Sequence, residues 1–156
     1  MNTPENETTS NEVSGRQQSD RHICWFSCGA ASAVATKLTI EEYKNVEIYY
    51  TDTGSEHPDN ARFLKDCEKW FGQKINVLKS TKYKDALEVC ETKRFMSSPQ
   101  GAPCTGAMKK EPANGVWKMG DKEVFGYTAD ERHRLNRWRN DNPERSIVCP
   151  LIDKNL

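Results

Sequence analysis

Long hydrophobic runs are missing from this sequence of 156 residues. A membrane-spanning helix needs about 20 consecutive apolar residues, so none is predicted. The N-terminus also lacks a basic start followed by an apolar core, which excludes a secretory signal. We therefore expect a soluble, cytoplasmic protein with no membrane partner.

An excess of charge of one sign is missing as well. The chain has 23 Lys and Arg against 23 Asp and Glu, and residues 1–20 carry a net charge of −3. The surplus of +3 in the remainder is too small to indicate a surface for double-stranded DNA. Five basic residues nevertheless cluster late in the chain: Arg132, His133, Arg134, Arg137 and Arg139. They alternate with Leu135 and Trp138, which favours a solvated helix face over a nucleic-acid surface.

Aromatic residues are missing from the first twenty positions, where Val13 is the single large aliphatic residue. Such a segment buries too little apolar surface to offset the entropy lost on ordering. We predict a disordered tail over residues 1–21 and one domain over residues 22–156, because the length suits one ordinary domain.

No two of the six cysteines form a C-x-x-C pair, which excludes a zinc ribbon built from this chain alone. No metal ligands are predicted. Nothing indicates secretion, and the cytosol keeps thiols reduced. Cys24, Cys67 and Cys149 lie within apolar patterns and are predicted to be core residues.

A run of small residues connects the first predicted strand, Ile23–Phe26, to a helix over about residues 30–43. Val34 and Leu38 are predicted to form the inner face of this helix. The connecting turn consists of Ser27, Cys28, Gly29, Ala30, Ala31 and Ser32. Small side chains let backbone N–H groups approach an anion, and the start of a helix favours negative charge. Small residues also allow tight helix–strand packing, so the turn alone leaves both interpretations open.

Strands and helices alternate beyond this turn. A second strand over residues 46–50 runs into the polar turn Thr51, Asp52, Thr53 and Gly54. Pro58 is predicted to open a helix that Gly72 ends, and residues 75–78 form a third strand. This order predicts a parallel sheet with right-handed crossovers. The two turns would then lie side by side at the carboxyl edge of the sheet, where ligands bind.

The second half of the chain is less regular. A helix is predicted over residues 83–95, with Tyr83, Leu87 and Cys90 on one face. The helical part that follows Cys104 should be short, because Pro112 is expected to stop it. Two further strands are predicted over residues 123–125 and 145–149, the latter broken by Pro150.

Three stretches together resemble the phosphoadenosine-phosphosulfate (PAPS) reductase-like family of the adenine nucleotide alpha-hydrolase-like (PP-loop) superfamily. Residues 27–32 resemble the pyrophosphate loop S-G-G-x-D-S, and residues 50–54 with His57 and Pro58 resemble the second-strand motif. Cys104 with Lys109, Lys110 and Pro112, and then Gly126 with Glu131 and Arg134, resemble the later motifs. The loop variant is most similar to a phage-encoded branch.

The resemblance implies a Rossmann-like, three-layer α/β fold with a mostly parallel sheet that binds ATP or PAPS. Residues 27–32 would hold phosphates, and residues 51–54 would border the adenosine. Lys109, Lys110 and Arg134 would neutralise phosphate or sulfate, with Glu131 orienting Arg134 or assisting with a metal such as Mg²⁺. Cys104, Glu131 and Arg134 are the catalytic candidates. A thioredoxin-like reductant and a homodimer are further expectations.

The sequence departs from the family pattern at several places. Cys28 replaces a Gly of the pyrophosphate loop, and Ala31 replaces its Asp. The nucleophilic cysteine that the family's reductases carry near the C-terminus has no counterpart here. An iron–sulfur cluster would need cysteines that this chain lacks, since Thr105 follows Cys104 where some members have a second cysteine. We expect that the family's C-terminal cysteine-containing segment is missing.

Three functions remain open at this stage. The first is an oxidoreductase acting in sulfur transfer or sulfonucleotide reduction. The second is an ATP pyrophosphatase, an ATP-dependent sulfurtransferase that adenylates a nucleic acid before thiolation, and the third is a non-catalytic nucleotide-binding module. Several residues also have structural alternatives, because Asp52 suits a turn that caps its own backbone and His57 suits a helix start. The lysines after Cys104 favour a reactive thiolate, although an isolated cysteine is more often inert.

Overall fold

The computed structural model describes residues 20–99 and 101–156, and it contains one five-stranded sheet in which every strand pair is parallel. The strand order is β3-β2-β1-β4-β5. The strands are β1 (His22–Phe26), β2 (Val46–Asp52), β3 (Asn76–Lys79), β4 (Lys122–Val124) and β5 (Ser146–Val148). The predicted α/β fold with a parallel sheet is therefore confirmed.

Six α-helices, one π-helix and one 3₁₀ turn are formed by these described residues. They are α1 (Ala30–Glu42), α2 (Asn60–Phe71), α3 (Ala86–Lys93), the π-helix (Thr105–Lys110), α4 (Glu111–Val116), the 3₁₀ turn (Ala129–Glu131), α5 (Arg132–Asp141) and α6 (Pro150–Asp153). None of these helices combines the length and apolar character that crossing a membrane requires.

The main core lies between one face of the sheet and helices α1 and α2. Alternate strand residues point into it, because side chains in a strand alternate between the two faces. Ala33 comes from α1, and Cys67 and Phe71 come from α2. The strand members are Cys24, Phe26, Val46, Ile48, Tyr50 and Val124. Buried Cys24, Cys67 and Cys149 confirm the prediction for those three cysteines.

The opposite face of the sheet carries a polar, buried group of side chains. Glu123 of β4 is 3% exposed, and its Oε2 lies 2.8 Å from Nε of Arg145. Trp25 of β1 donates its Nε1–H to Oε1 of Glu123 at 2.8 Å. The Arg145 guanidinium lies 4.6 Å from the ring centre of Trp117 and donates to Oδ1 of Asn114 in α4. Arg145 therefore links helix α4 to Glu123 on this face of the sheet.

The faces predicted for two helices from residue spacing are only partly right, because Leu38, Tyr83 and Cys90 are half-buried while Val34 and Leu87 are exposed. Val34 of α1 is 39% exposed, and α1 buries small residues such as Ala33 and Thr36 instead. Leu87 of α3 is 62% exposed, while Val89 is fully buried. Helix α3 starts at Ala86 rather than at Tyr83, and its buried residue Val89 packs against Ala107 and Met108.

The predicted effects of the prolines are only partly right. Helical structure continues past Pro112 to Val116, because the π-helix gives way to α4 there and Pro112 lies in the first turn of α4. A proline is tolerated in a first turn, where its missing N–H would have no intrahelical partner. Pro150 ends the strand region as predicted but also begins α6. Pro58 precedes the N-cap of α2, whereas Gly72 ends α2 with φ at 68° as expected.

Most of the predicted N-terminal tail, residues 1–19, lies outside the described residues. Arg21 is described, and it is anchored at the start of β1. Its Nε donates to Oδ1 of Asp121 at 3.0 Å, and its Nη1 donates to Oε2 of Glu47 at 3.2 Å.

Candidate functional site

The carboxyl end of the central strand β1 lies beside the ends of β2 and β4. Phe26 is level with Tyr50 of β2, and Cys24 is level with Val124 of β4. The chain runs outward from β1 to β2 and β3, then returns to place β4 on the other side of β1. This reversal makes the end of β1 the topological switch point, which is where open α/β sheets bind their ligands.

The predicted phosphate loop, residues 27–32, occupies this switch point. Ser27 and Ala30 are exposed, and Cys28, Gly29 and Ala31 are partly exposed. Helix α1 begins at Ala30, so the loop presents the first turn of a helix of 13 residues. The loop is thus open to solvent at the positive end of the helix dipole.

Ser32 holds the loop in shape through its buried hydroxyl group. Its Oγ accepts hydrogen bonds from the N–H and the Oγ–H of Ser27, both at 3.1 Å, and from the Gly29 N–H at 3.4 Å. It donates its own hydrogen to the Gly29 carbonyl at 2.9 Å. Three hydrogen-bond donors of the loop therefore converge on the Ser32 Oγ atom.

Gly126, just after β4, packs directly on the first turn of α1. A Cβ added at Gly126 would lie 2.6 Å from the N and Cα atoms of Ser32. No side chain fits at that distance, so only glycine permits the close approach. This contact brings the end of β4 against the loop that follows β1.

Cys28 has the one left-handed backbone conformation in the described part of this loop, with φ at 57°. That region favours glycine, which is the residue of the S-G-G-x-D-S pattern at this position. The thiol packs toward α2, with Sγ 3.9 Å from the Asn60 carbonyl oxygen. Burial raises the pKa of the Cys28 thiol to about 11, so the thiol is uncharged near neutral pH.

Thr51 and Asp52 form the end of β2, and Thr53 and Gly54 follow it. The Asp52 carboxylate accepts the Gly54 N–H at 2.8 Å and lies 2.9 Å from Nζ of Lys79. The Gly54 N–H and the Lys79 ammonium lower the pKa of Asp52. Asp52 thus caps its own turn. Buried Thr53 donates to Oε1 of Glu56 at 2.7 Å.

His57 lies near the start of α2, as one of the two alternatives predicted. Its Nδ1 accepts the Asp59 N–H at 3.1 Å, and its carbonyl accepts the Asn60 N–H at 2.9 Å.

The segment after Gly126 places Glu131 and Arg134 together. Their side chains form an ion pair, and the Glu131 carboxylate also accepts the Thr128 N–H at 3.1 Å. The Arg134 guanidinium and the Thr128 N–H lower the pKa of Glu131. Arg134 stacks over the Tyr127 ring, 4.5 Å from its centre. Glu131 therefore makes the ion pair that would hold Arg134 in place, which is one of the two roles that the resemblance implies.

The π-helix begins after Cys104 and carries Lys109 and Lys110 at its end. Cys104 is its N-cap residue and is half-buried, whereas both lysines are exposed in its last turn. Segments of π-helix are rare and frequently occur at functional sites. The π-helix contacts β2 and α4.

Two further residues join the candidate site residues and were not predicted. Lys79 pairs with Asp52, and the rule that parallel strands end at one edge could have identified it, because it ends the third strand. Tyr127 supports Arg134, and no sequence signal distinguished it from a core aromatic. Among residues 20–99 and 101–156, no group of three or more His, Cys, Asp or Glu side chains is placed to hold a metal ion.

The strand order, the glycine contact and the open loop at the switch point define an open α/β domain of the ligand-binding, Rossmann-like class. The family model described as "Phosphoadenosine phosphosulfate reductase domain" matches residues 21–155. The chain therefore belongs to the PAPS reductase domain family.

The fold is also similar to a solved structure, the phosphate complex of phosphoadenylyl-sulfate (PAPS) reductase from Candida auris. The TM-score is 0.56 at 12% sequence identity, and the match covers 85% of this chain. This chain spans 66% of the length of that protein. No curated protein matches the sequence.

Proposed function

We propose that the loop of residues 27–32 binds the phosphates of an adenylyl nucleotide, PAPS or ATP, for sulfur transfer or sulfonucleotide reduction. The observation that carries the proposal is the position of this loop. It is open to solvent at the switch point and is packed against Gly126, within a chain of the PAPS reductase domain family.

The charges of the candidate site residues suit a ligand with several negative charges. The first turn of α1 offers N–H groups and a positive dipole end, and Arg134 offers a forked cation oriented by Glu131. Lys109 and Lys110 are exposed point charges that suit phosphate or sulfate. In the reductase function, a thioredoxin-like protein would supply the electrons. Mg²⁺ would accompany ATP as part of the substrate.

The exposed position of Ala30 allows a test that separates binding from folding. An Ala30→Asp substitution adds a carboxylate at the first residue of α1, where negative charge stabilises a helix. We expect the melting temperature to stay the same or rise, while the affinity for PAPS or ATP falls about tenfold or more. Isothermal titration calorimetry with PAPS, ATP and AMP measures this.

The Ala30→Asn variant is the matched control, since it has nearly the same shape without the charge. It should lose much less affinity than Ala30→Asp. Equal affinities of wild type and Ala30→Asp for every nucleotide tested would refute phosphate binding at this loop, and so would the absence of nucleotide binding by the wild-type protein.

A nucleic-acid thiolation enzyme that uses ATP is the second candidate, and helix α5 favours it. Arg132, Arg137 and Arg139 are exposed on α5, and no carboxylate of the described residues lies within ion-pair distance of them. Pyrophosphate release from ATP that depends on added RNA or DNA would distinguish this reaction from sulfonucleotide reduction. Release of sulfite from PAPS would favour the first candidate.

A further inference from the structure

Two cavities adjoin beyond the end of the edge strand β3, and their volumes are about 350 Å³ and about 200 Å³. The larger is lined by residues of α3 and of the π-helix, and the smaller by Lys79 at the end of β3 and the two residues after it. Lys82 and Glu111 line both cavities, and Lys82 Nζ lies 2.8 Å from Glu111 Oε1. The two cavities therefore meet at this ion pair, and together they are called the edge groove below.

Two aromatic side chains line the larger cavity of the edge groove. Tyr83 is half-buried and packs against buried residues of α3 and the π-helix, Val89 and Met108, which fix its position. Phe95 is 43% exposed. Arg94 ends α3 in the left-handed conformation, with φ at 60°, and so turns the chain directly before Phe95. The groove thus offers one anchored ring and one ring that a flat ligand would cover.

Three lysines are distributed along the edge groove. Lys93 lines the larger cavity, and no carboxylate of residues 20–99 or 101–156 lies within ion-pair distance of it. Lys79 and Lys82 are exposed and pair with Asp52 and Glu111. Exposed ion pairs contribute little energy, and an ammonium group has three donors, so both lysines can also contact an anion. The groove therefore combines aromatic rings with cations along its length.

We propose that the edge groove binds single-stranded nucleic acid, with one base against Phe95 and Tyr83 in the larger cavity and the phosphates on the three lysines. Proteins that bind single strands combine a positively charged groove with aromatic side chains on which bases stack. A free mononucleotide has the same chemistry, but it would use the cations of one cavity only. A duplex keeps the faces of its bases stacked and does not offer them to Phe95.

This site is separate from the proposed nucleotide site, because no residue of the loop 27–32 lines either cavity. If the second candidate function holds, the strand in the edge groove would be the nucleic acid that is thiolated. Binding of the strand itself does not require that reaction, so it is measured without ATP or PAPS.

Gly106 of the π-helix allows a test that fills the larger cavity. Gly106 lines this cavity, and a Cβ added there would have no atom within 4 Å. Gly106→Leu should therefore occupy the cavity without a clash, and it should not lower the melting temperature, because leucine favours helices more than glycine does. Gly115→Leu in α4 is the matched control, since Gly115 has equally open surroundings and lines neither cavity.

The probe is a fluorescein-labelled single strand of mixed sequence, about 10 nucleotides long, as DNA and as RNA. Fluorescence anisotropy at about 50 mM salt measures its affinity. We expect the wild-type protein and Gly115→Leu to bind one of the two probes equally well, and Gly106→Leu to bind it about tenfold more weakly or worse.

Two further variants separate stacking from charge. Phe95→Ala should weaken binding by roughly 5- to 150-fold, which is the range for losing one base–aromatic contact. Lys93→Gln should reduce the slope of log affinity against log salt by about 0.7 in magnitude, as expected for one lost phosphate contact. Lys65→Gln on α2 removes the same charge outside the groove and should leave the slope unchanged.

Four outcomes would overturn the proposal. They are no binding of either single strand at about 50 mM salt, equal binding of the duplex of the same sequence, competition by free AMP or UMP as strong as by the unlabelled strand, and unchanged binding by Gly106→Leu and Phe95→Ala. The last result would place the strand elsewhere, such as on the arginines of α5. None of these outcomes changes the titration of Ala30→Asp with PAPS or ATP, so this proposal and the proposed function fail separately.

Discussion

At the scale of single residues, His22 illustrates a titratable side chain that the fold keeps uncharged. It is fully buried at the start of β1, and its ring stacks on Tyr43 with 3.9 Å between ring centres. Its Nδ1 lies 3.1 Å from the Asp20 carbonyl oxygen, and among the described residues its Nε2 has no hydrogen-bond partner. Burial, helped by the charge of Lys122, lowers the pKa of His22 below the ordinary 6.5.

The pH dependence of stability follows from this lowered pKa. Below about pH 6.5 the unfolded chain takes up a proton at His22 that the folded protein does not, so acidification favours unfolding. We predict that the free energy of unfolding falls as the pH drops below about 6.5 and that a His22→Phe variant has a shallower slope. Urea unfolding between about pH 5 and pH 8 measures both slopes. Identical slopes for the two proteins would contradict the prediction.

At the scale of secondary-structure elements, α3 is short and depends on its N-cap. Oδ1 of Asp85 accepts the Glu88 N–H at 2.9 Å, and Oε2 of Glu88 accepts the Lys84 N–H at 2.6 Å. This reciprocal pattern satisfies backbone donors that have no partner within the helix.

Removing the cap should therefore destabilise the protein. We predict that Asp85→Ala lowers the free energy of unfolding by about 1 kcal/mol, whereas Asp85→Asn keeps most of the stability. Glu91→Ala, an exposed change within the same helix, serves as the control and should cost less than about 0.5 kcal/mol. Urea denaturation compares the variants, and equal stabilities of Asp85→Ala and Asp85→Asn would show that the cap is not the cause.

The element order was predictable because short strands and helices alternate with clear turn residues. Gly72 marked the end of α2, and the small residues after Phe26 marked the junction of β1 and α1. The face that α1 buries was not predictable, since its inner side consists of Ala33, Thr36 and other small residues rather than large apolar ones. The packing of α1 against the sheet determines which face of the helix is buried, and the spacing of Val34 and Leu38 does not.

The π-helix was not predictable either, because a π-to-α transition has no simple residue signature and Pro112 favoured a stop. For the candidate site, the loop of residues 27–32 and the turn of residues 51–54 could be located from residue types and strand order. The side-chain contacts within these two segments could not be predicted. The hydrogen bonds to Ser32 Oγ and the pairing of Asp52 with Lys79 depend on side-chain positions that only the assembled sheet defines.

At the scale of the whole molecule, the buried ion pair of Glu123 and Arg145 connects β4 with the chain that enters β5. Through Trp25 it reaches β1, and through Asn114 it reaches α4. Burial raises the pKa of Glu123, while Trp25 and Arg145 act in the opposite direction. The carboxylate therefore depends on its partners for its charge.

Breaking this pair on one side should be costly. We predict that Arg145→Met lowers the free energy of unfolding by about 3–5 kcal/mol, because it leaves a buried carboxylate without its cation. Adding Glu123→Gln, which still accepts the Trp25 hydrogen bond, should recover part of that loss. A double-mutant cycle by chemical denaturation measures the coupling. Strictly additive losses would show that the two side chains act independently.

The contact between Gly126 and Ser32 has a consequence for biosynthesis. A nascent chain that has emerged only as far as β3 contains the entire loop of residues 27–32 but leaves one side of β1 uncovered. The backbone of Gly126, which packs on Ser32, arrives only after β4, when most of the polypeptide has been translated. The nucleotide binding that we propose at this loop would therefore require the second half of the sheet to have docked.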